Sequence, residues 1–454
     1  MSALPRVAVV GAGPAGLTAL AALTRAGIEA VGFERGDRPG GLWAYGAPLS
    51  GAYRSLHLNT SKARTQLAGF PMPEEWPDFP GHERIGEYFD RFTDHAGIRD
   101  RIRFSCGVDV ATEAEGGGWE LALEDGSTDR FDALVVASGH NWEPRLPDPP
   151  YPGRFDGVQV HAHDYREPDV LAGRRVLVVG MGNSAMDIAV ESSTVAEATF
   201  LSVRRGSRIV PKYVFGKPAD QVTSPAMARL NWRLRQPLTH LLLRVAVGRP
   251  ETYGLPAPST GFLRDHPTIS DAVLSRLTHG EIAPKPGVRS LDGGEVSFTD
   301  GSSERVDVIV WCTGYHVTVP YLADGLLGAA PDEVALYKRT FCHDRDDLFF
   351  VGLVQTTGSA IPVVERQSLM LADHLTGRYA LPRRAWRRFD VDRRRRAAAR
   401  RYGEAKRPHL RVEFDGFMGE LERELRRGRR RAGGGVAPPL ERRAPTAGSE
   451  RVPA

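Results

Sequence analysis

Two short segments of this chain have the residue types and spacing to hold a dinucleotide. The first, Gly11-Ala12-Gly13-Pro14-Ala15-Gly16, follows the apolar run Arg6–Val10 and opens the helical pattern Leu17–Ala26, which Gly27 can cap. Gly11 allows a tight turn, Gly13 lets the backbone approach a pyrophosphate, and Gly16 lets helix and strand pack closely. Phosphates would sit over the helix N-terminus, where free N–H groups and the dipole favour negative charge. Glu34, an acid at the end of the next strand, can accept hydrogen bonds from ribose hydroxyls, and Arg35 beside it belongs to the same expected site. The second segment is Gly180-Met181-Gly182-Asn183-Ser184-Ala185, continued by Met186 and Asp187. Ala185 stands at the third glycine position, which the fingerprint tolerates. Here the next strand, Thr199–Val203, ends in Arg204-Arg205 rather than an acid. An acid there would repel a 2′-phosphate, whereas an arginine binds it through charge-assisted hydrogen bonds. The first turn therefore suits FAD and the second NADPH.

The elements that must position these turns form a repeat. Arg6-Val-Ala-Val-Val-Gly-Ala-Gly13 recurs as Arg175-Val-Leu-Val-Val-Gly-Met-Gly182. Each copy is a continuous apolar run, as in a strand buried on both faces of a parallel sheet, followed by a glycine turn and a helix. The fold class is α/β, with two doubly wound Rossmann-like dinucleotide-binding domains, the NADP domain inserted into the FAD domain. A helix is expected near Glu83–Ala96, with strands at Ile102–Phe104, Trp119–Leu123, Ala133–Ala137, Val296–Phe298 and Val306–Trp311; Pro144–Gly153 reads as a linker. The last strands resemble those ending at Ala137, so the chain is expected to return to the first domain after residue 285. The expected boundaries are 1–158 and 285–385 for the FAD domain and 159–284 for the NADP domain. An arginine-rich helical segment over 386–432 and a disordered tail over 433–454 follow.

Composition narrows the function. The 454 residues are 41% hydrophobic and 26% charged, with a net charge of only +4. The basic excess is local to the C-terminal arginines, which read as a solvated helix face, so neither a nucleic-acid nor a membrane partner is expected. Three scattered cysteines, Cys106, Cys312 and Cys342, make no C-x-x-C pair and fit a reducing cytoplasm. No metal site is expected. No signal peptide precedes the first strand, and no run reaches the length of a membrane span.

The segment Phe155-Asp-Gly157-Val-Gln-Val-His161-Ala-His-Asp-Tyr165 matches F-x-G-x-x-x-H-x-x-x-Y and resembles the signature of the flavin-containing monooxygenase family. Other stretches are similar. Gly40-Gly41-Leu42-Trp43 looks like the G-G-x-W segment lining the flavin, and Tyr53–Lys62, with Asn59 and Thr60, like the segment beside the isoalloxazine ring. Val310–Tyr315 and Phe350–Gln355 look like later family segments, the last near the flavin, whereas Ala-Ser-Gly139, also expected at the cofactor site, departs from the family's more usual Thr-Gly pair. The resemblance implies NADPH- and O2-dependent oxygenation of a soft nucleophilic nitrogen or sulfur through a flavin hydroperoxide, an N,N-dimethylaniline monooxygenase type of activity. Asn59 is the side chain it implicates in catalysis, and His161 becomes an organiser of the domain junction. Ala63 departs from the family, which usually has an acid after the lysine, and bears on the geometry around Asn59. A Baeyer–Villiger enzyme acting on a ketone is the nearest alternative, and a non-catalytic FAD/NADP(H)-binding redox sensor an alternative of another class. The small-molecule substrate stays unnamed and a homodimer stays open; the region from Lys217 to Thr260, with Trp232 and Tyr253, is the expected place for substrate contacts.

Overall fold

A computed structural model describes residues 4–222, 241, 244–245, 247–258, 267–323, 327, 330, 333–402, 408–433 and 440. The first half begins with strand β1 (Arg6–Val10), helix α1 (Pro14–Arg25) and strand β2 (Glu29–Phe33). Pro14 starts α1 at a position where its missing N–H costs nothing. Residues Ala15 to Leu23 are all buried, so α1 carries no polar face. Gly27, at φ +80°, follows its C-terminus, and the N–H groups of Gly27 and Ile28 return to the carbonyls of Thr24 and Leu23. A helix over His82–His95 and a three-stranded antiparallel meander (Val108–Glu113, Trp119–Leu123, Thr128–Phe131) come next, and strand β3 (Ala133–Val136) then pairs parallel to β1.

The second half repeats this plan. Strand β4 (Arg175–Val179), helix α2 (Asn183–Val195) and strand β5 (Ala198–Ser202) are followed by a meander (Val288–Gly293, Glu295–Phe298, Ser303–Arg305) and by strand β6 (Val308–Trp311), parallel to β4. The second sheet runs Val158–His161, β6, β4, β5, Ala283–Lys285, all parallel. The first runs Leu336–Tyr337, Phe341–Cys342, β7 (Leu348–Phe350), β3, β1, β2, Ile102–Arg103. Both share the core order third strand, first strand, second strand.

The expected return to the first domain after residue 285 is corrected by this topology. Glu295–Phe298 lies in the second meander and β6 inside the second sheet; the chain rejoins the first sheet only with Leu336–Tyr337, Phe341–Cys342 and β7. The likeness of Val306–Trp311 to the run ending at Ala137 marks the same place in the repeat, not the same sheet. A strand buried on both faces has no polar alternation to say which sheet it joins.

The C-terminal segment expected over 386–432 is two helices, α4 (Arg384–Tyr402) and α5 (Phe414–Ala432), the latter packed beside α3 (Ile361–Leu375). Phe417, Leu421 and Leu425 of α5 join the core around α1 and α3, so the segment is part of the first domain's packing. The tail expected over 433–454 lies outside the described residues apart from 433 and 440, as does much of 217–260, including Trp232.

The arginines are not all a solvated face. The Lys338 ammonium, 6% exposed, donates to Asp390 at 2.9 Å and Glu420 at 2.8 Å. Arg394 binds both acids and Arg393 binds Asp390. Burial opposes ionisation of Asp390, but the hydrogen bonds from Arg394 and Arg393, with Lys338, outweigh it and hold its carboxyl well below the ordinary value. A carboxylate with a depressed folded pKa stabilises fully above its unfolded value of about 4 and loses that contribution as pH falls below it. Asp390→Asn is expected to cost about 3–5 kcal/mol at pH 7 by leaving buried cations short of a partner. Urea denaturation of both proteins between pH 7 and pH 3 checks this: the deficit stays constant down to about pH 4 and shrinks below it.

Candidate functional site

Backbone packs on backbone at the first turn. A Cβ on Gly16 would lie 1.7 Å from the carbonyl oxygen of Gly11, and one on Gly11, at φ +104°, would lie 2.7 Å from that of Ala137. One on Gly41 would lie 2.8 Å from Cα of Gly13. The second turn repeats the contact: a Cβ on Gly180, at φ +147°, would lie 2.5 Å from the carbonyl oxygen of Cys312. Ala137 and Cys312 each follow the third strand of their half. Gly182 differs, with nothing within 4 Å of its Cβ position.

Both turns open into one cavity of about 870 Å³. Gly11, Gly13, Pro14 and Ala15 line it at the N-terminus of α1, with Glu34, Arg35 and Gly139 beside them. Gly41, Leu42 and Trp43 form a further wall, and Asn59 and Thr60 another. From the second turn Asn183 and Ser184 reach the cavity. Gly16 acts in packing, as the spacing of the first turn implies. The Glu34 carboxylate accepts from Ala12 N at 2.7 Å and Gly36 N at 2.8 Å, one bond per oxygen, so it fixes the turn and keeps a lone pair on each oxygen for a ribose. Burial raises its carboxyl despite these donors. Arg35 pairs with Glu124 at 2.6 Å.

Asn59 makes no hydrogen bond to another described residue, so its amide is available to a ligand. Beside it, the Lys62 ammonium donates to the carbonyls of Pro73 and Glu74, at 3.0 and 2.6 Å, and of Trp76. Ala63 therefore deprives Lys62 of nothing.

Several expected site residues do other work. Ala185 and Met186 are fully buried and pack in the second domain's core. Asp187, expected at the second cofactor site, lies outside the cavity lining and accepts from Tyr53 O–H at 2.6 Å. One turn further along α2, Glu191 accepts from Tyr165 at 2.6 Å and Ser55 at 3.1 Å. Positions i and i+4 share a helix face, and this one is turned to the first domain. Gln355 lies in a parallel pairing with Arg411, outside the cavity lining, while Gly352 and Thr357–Ile361 around it do line the cavity. Gly180 and Gly182 are not in the lining either.

Arg204 is exposed beyond the end of β5 and outside the main lining. Burial, and after it the charge of Arg204, lower the pKa of Arg145, so two guanidiniums repel each other there with no acid between them in the described ion pairs. An anion relieves such repulsion. Arg208 has a buried Nε with no hydrogen-bond partner among the described residues, and burial likewise lowers its pKa. Nothing in local spacing marks Arg145 or Lys212, which the fold brings to the second domain's edge and to the cavity. The same holds for Glu413–Asp415 at the start of α5, which close the cavity beside Thr357–Ile361.

In the signature segment, a Cβ on Gly157 would lie 2.5 Å from the carbonyl oxygen of Asp307. Phe155 is buried against β4 and β6 residues. His161 accepts from His163 N through Nδ1 at 3.0 Å and stands edge-on to Tyr315; burial lowers its pKa.

Residues 4–427 match the family model described as flavin-binding monooxygenase-like. Flavin-containing monooxygenase 2 of Homo sapiens is 32% identical over 448 residues, covering 92% of this chain and 82% of that protein. Dimethylaniline monooxygenase [N-oxide-forming] 2 of Rattus norvegicus is 33% identical over 444 residues with the same coverage. Among solved structures, the S-allyl-L-cysteine S-oxygenase of Allium sativum is similar with a TM-score of 0.69 at 24% identity, covering 93% of this chain and 88% of that one. Open cyclohexanone monooxygenase is similar with a TM-score of 0.71 at 18% identity, covering 94% and 99%. The last two likenesses concern the fold.

The two turns respond differently to an added methyl. Gly16→Ala is expected to cost about 3 kcal/mol and to yield protein that loses its flavin on purification, because the obstacle is backbone. Gly182→Ala is expected to melt with the parent. Thermal melts and the flavin absorbance of the purified variants check both.

Proposed function

The chain belongs to the flavin-binding monooxygenase-like family, and from that premise we propose that it transfers one oxygen atom of O2 to a soft nucleophilic nitrogen or sulfur of a small molecule. It is an FAD-dependent, NADPH-using monooxygenase. The observation that carries the finer reading is the single cavity: both glycine turns open into it, and Asn59 stands in its wall with an uncommitted amide.

The residues fit the two cofactors. The missing Cβ atoms at Gly13 and Gly41 leave backbone close to the free N–H groups of α1, where a pyrophosphate is held. The spare lone pairs of Glu34 take ribose hydroxyls. Asn183 and Ser184, at the start of α2, take the second pyrophosphate, and Arg204 with Arg145 takes the 2′-phosphate. When bound, FAD reduced by NADPH supplies activated oxygen. Asn59 can donate to one cofactor and accept from the other, which fixes their separation. The Tyr53–Asp187 and Ser55–Glu191 bonds hold the start of the second domain's helix to the first half of the chain, which keeps the two turns on one cavity. A soft nucleophile needs no proton removed by the protein, so no acid–base pair on the substrate is required. Relatives named for N-oxide formation support nitrogen as a target, and sulfur is the other soft nucleophile open to the same chemistry. The three free cysteines suit a reducing cytoplasm, where we place the enzyme; no helix among the described residues is long and apolar enough to cross a membrane.

With N,N-dimethylaniline or a dialkyl sulfide, NADPH consumption should match product formed, and with cyclohexanone it should run to peroxide; lactone from the ketone would overturn the reading. Asn59→Ala should raise peroxide per NADPH with dimethylaniline, and unchanged coupling would remove Asn59 from the chemistry. Arg204→Ala should raise KM for NADPH about tenfold or more while leaving KM for NADH unchanged, as loss of a charge-assisted contact does; steady-state kinetics with both cofactors checks it.

A further inference from the structure

The second domain sends an arm across the cavity to the segment that carries Asn59. The arm runs from Ile209 to Val222 and includes a hairpin, Tyr213–Val214 with Lys217–Pro218, and the short helical turn Ala219–Val222. Its root is built on the second glycine turn. Asn183 Oδ1 accepts from Ile269 N at 2.8 Å, and Thr268 Oγ1 donates to the Met181 carbonyl at 2.6 Å. Thr268–Ile269 pairs parallel with Ile209–Val210, where the arm begins, and Lys212 N donates to Asp271 at 2.7 Å.

Its tip is bonded to the first domain. Asp220 Oδ2 accepts the backbone N–H of Ser61 at 2.7 Å, and Gln221 Nε2 donates to Ser61 Oγ at 3.0 Å. Tyr213 donates to Asp78 at 2.6 Å and stands edge-on to Phe79, over which the Lys212 ammonium lies at 5.2 Å. Ser61 is two residues from Asn59 and precedes the helical turn Lys62–Thr65 without a side-chain cap bond to it. Because Asn59 has no hydrogen bond of its own to a described residue, the backbone on either side sets its place, and on one side that backbone hangs on Asp220.

We propose that Asp220 is a positioning residue for Asn59, and that the arm makes the placement of Asn59 depend on the second dinucleotide site. A path of hydrogen bonds, one strand pairing and the arm's own backbone links Asn183 in the cavity wall to Ser61, buried behind Asn59 and Thr60 in another wall. A dinucleotide that orders Asn183 thereby steadies Asn59 across the cavity. The proposal rests on the role given to Asn59 above.

The test uses the flavin-loaded, full-length enzyme with saturating N,N-dimethylaniline and follows NADPH consumed, peroxide released and, anaerobically, the rate of flavin reduction. Asp220→Ala is expected to raise the peroxide share about fivefold or more while flavin reduction and KM for NADPH stay within about twofold, since a small misplacement of an orienting group costs the step it orients. Asp220→Asn keeps an acceptor for the Ser61 N–H and is expected to restore the parent's coupling. Ser61→Pro removes the same bond from the other side at a residue whose φ of −63° already suits proline. It also takes away the hydroxyl that Gln221 reaches, so it should reproduce or exceed the rise, and the Asp220→Ala, Ser61→Pro double variant should be no worse than Ser61→Pro alone. Parental coupling in Asp220→Ala and Ser61→Pro, alongside a rise in Asn59→Ala, overturns the role of Asp220. Additive effects in the double variant overturn the shared contact. Parental coupling in Asn59→Ala overturns the Asn59 reading and this proposal with it.

Discussion

At each glycine turn, the carbonyl oxygen at the end of a neighbouring strand occupies the space a side chain would need: Ala137 against Gly11 and Cys312 against Gly180. This close approach of backbone to backbone is the constraint on which the rest of the structure depends. It requires β3 beside β1 and β6 beside β4, which gives both sheets the same core strand order. It also sets each helix so that its N-terminus faces the cavity instead of being covered by a side chain.

The turns were legible in the sequence because their cause is local. Strand, glycine spacing and helix lie within twenty residues, and the acid or arginine that separates the two sites follows on the next strand. The signature from Phe155 to Tyr165 was legible too, and its Gly157 and Tyr165 have evident physical duties against Asp307 and Glu191. The path of the chain after residue 285 was not legible. β6 and β3 are equally apolar, and only pairing decides which sheet each enters. The partners of Asp187 and Gln355 were hidden for a related reason: a motif says which residues stand near a turn, whereas the helix face and the strand ladder decide what each one meets. Arg145, Lys212 and Glu413–Asp415 come to their places from distant parts of the chain and leave no local signal.

The two halves diverge where they must meet. On α1 the face beyond the turn is buried, carries no ionisable group and is covered by α3, with Ser368 donating to Thr18 at 3.0 Å. On α2 the corresponding stretch carries Asp187 and Glu191, which accept from Tyr53, Ser55 and Tyr165. Burying carboxylates costs stability unless each is hydrogen-bonded, and burial does raise the carboxyl of Asp187. These bonds are directional, so they fix the orientation of one turn towards the other in a way an apolar contact would not.

The cavity beside the first glycine turn has walls from Thr357–Ile361 and Glu413–Asp415 as well as from Gly11–Ala15. During synthesis, the turn leaves the ribosome some four hundred residues before the last of these walls. The first sheet stays open on one side until β7 arrives, and the second domain is made in the interval. The cavity beside the first turn is therefore complete only when walls made first and walls made some four hundred residues later have met.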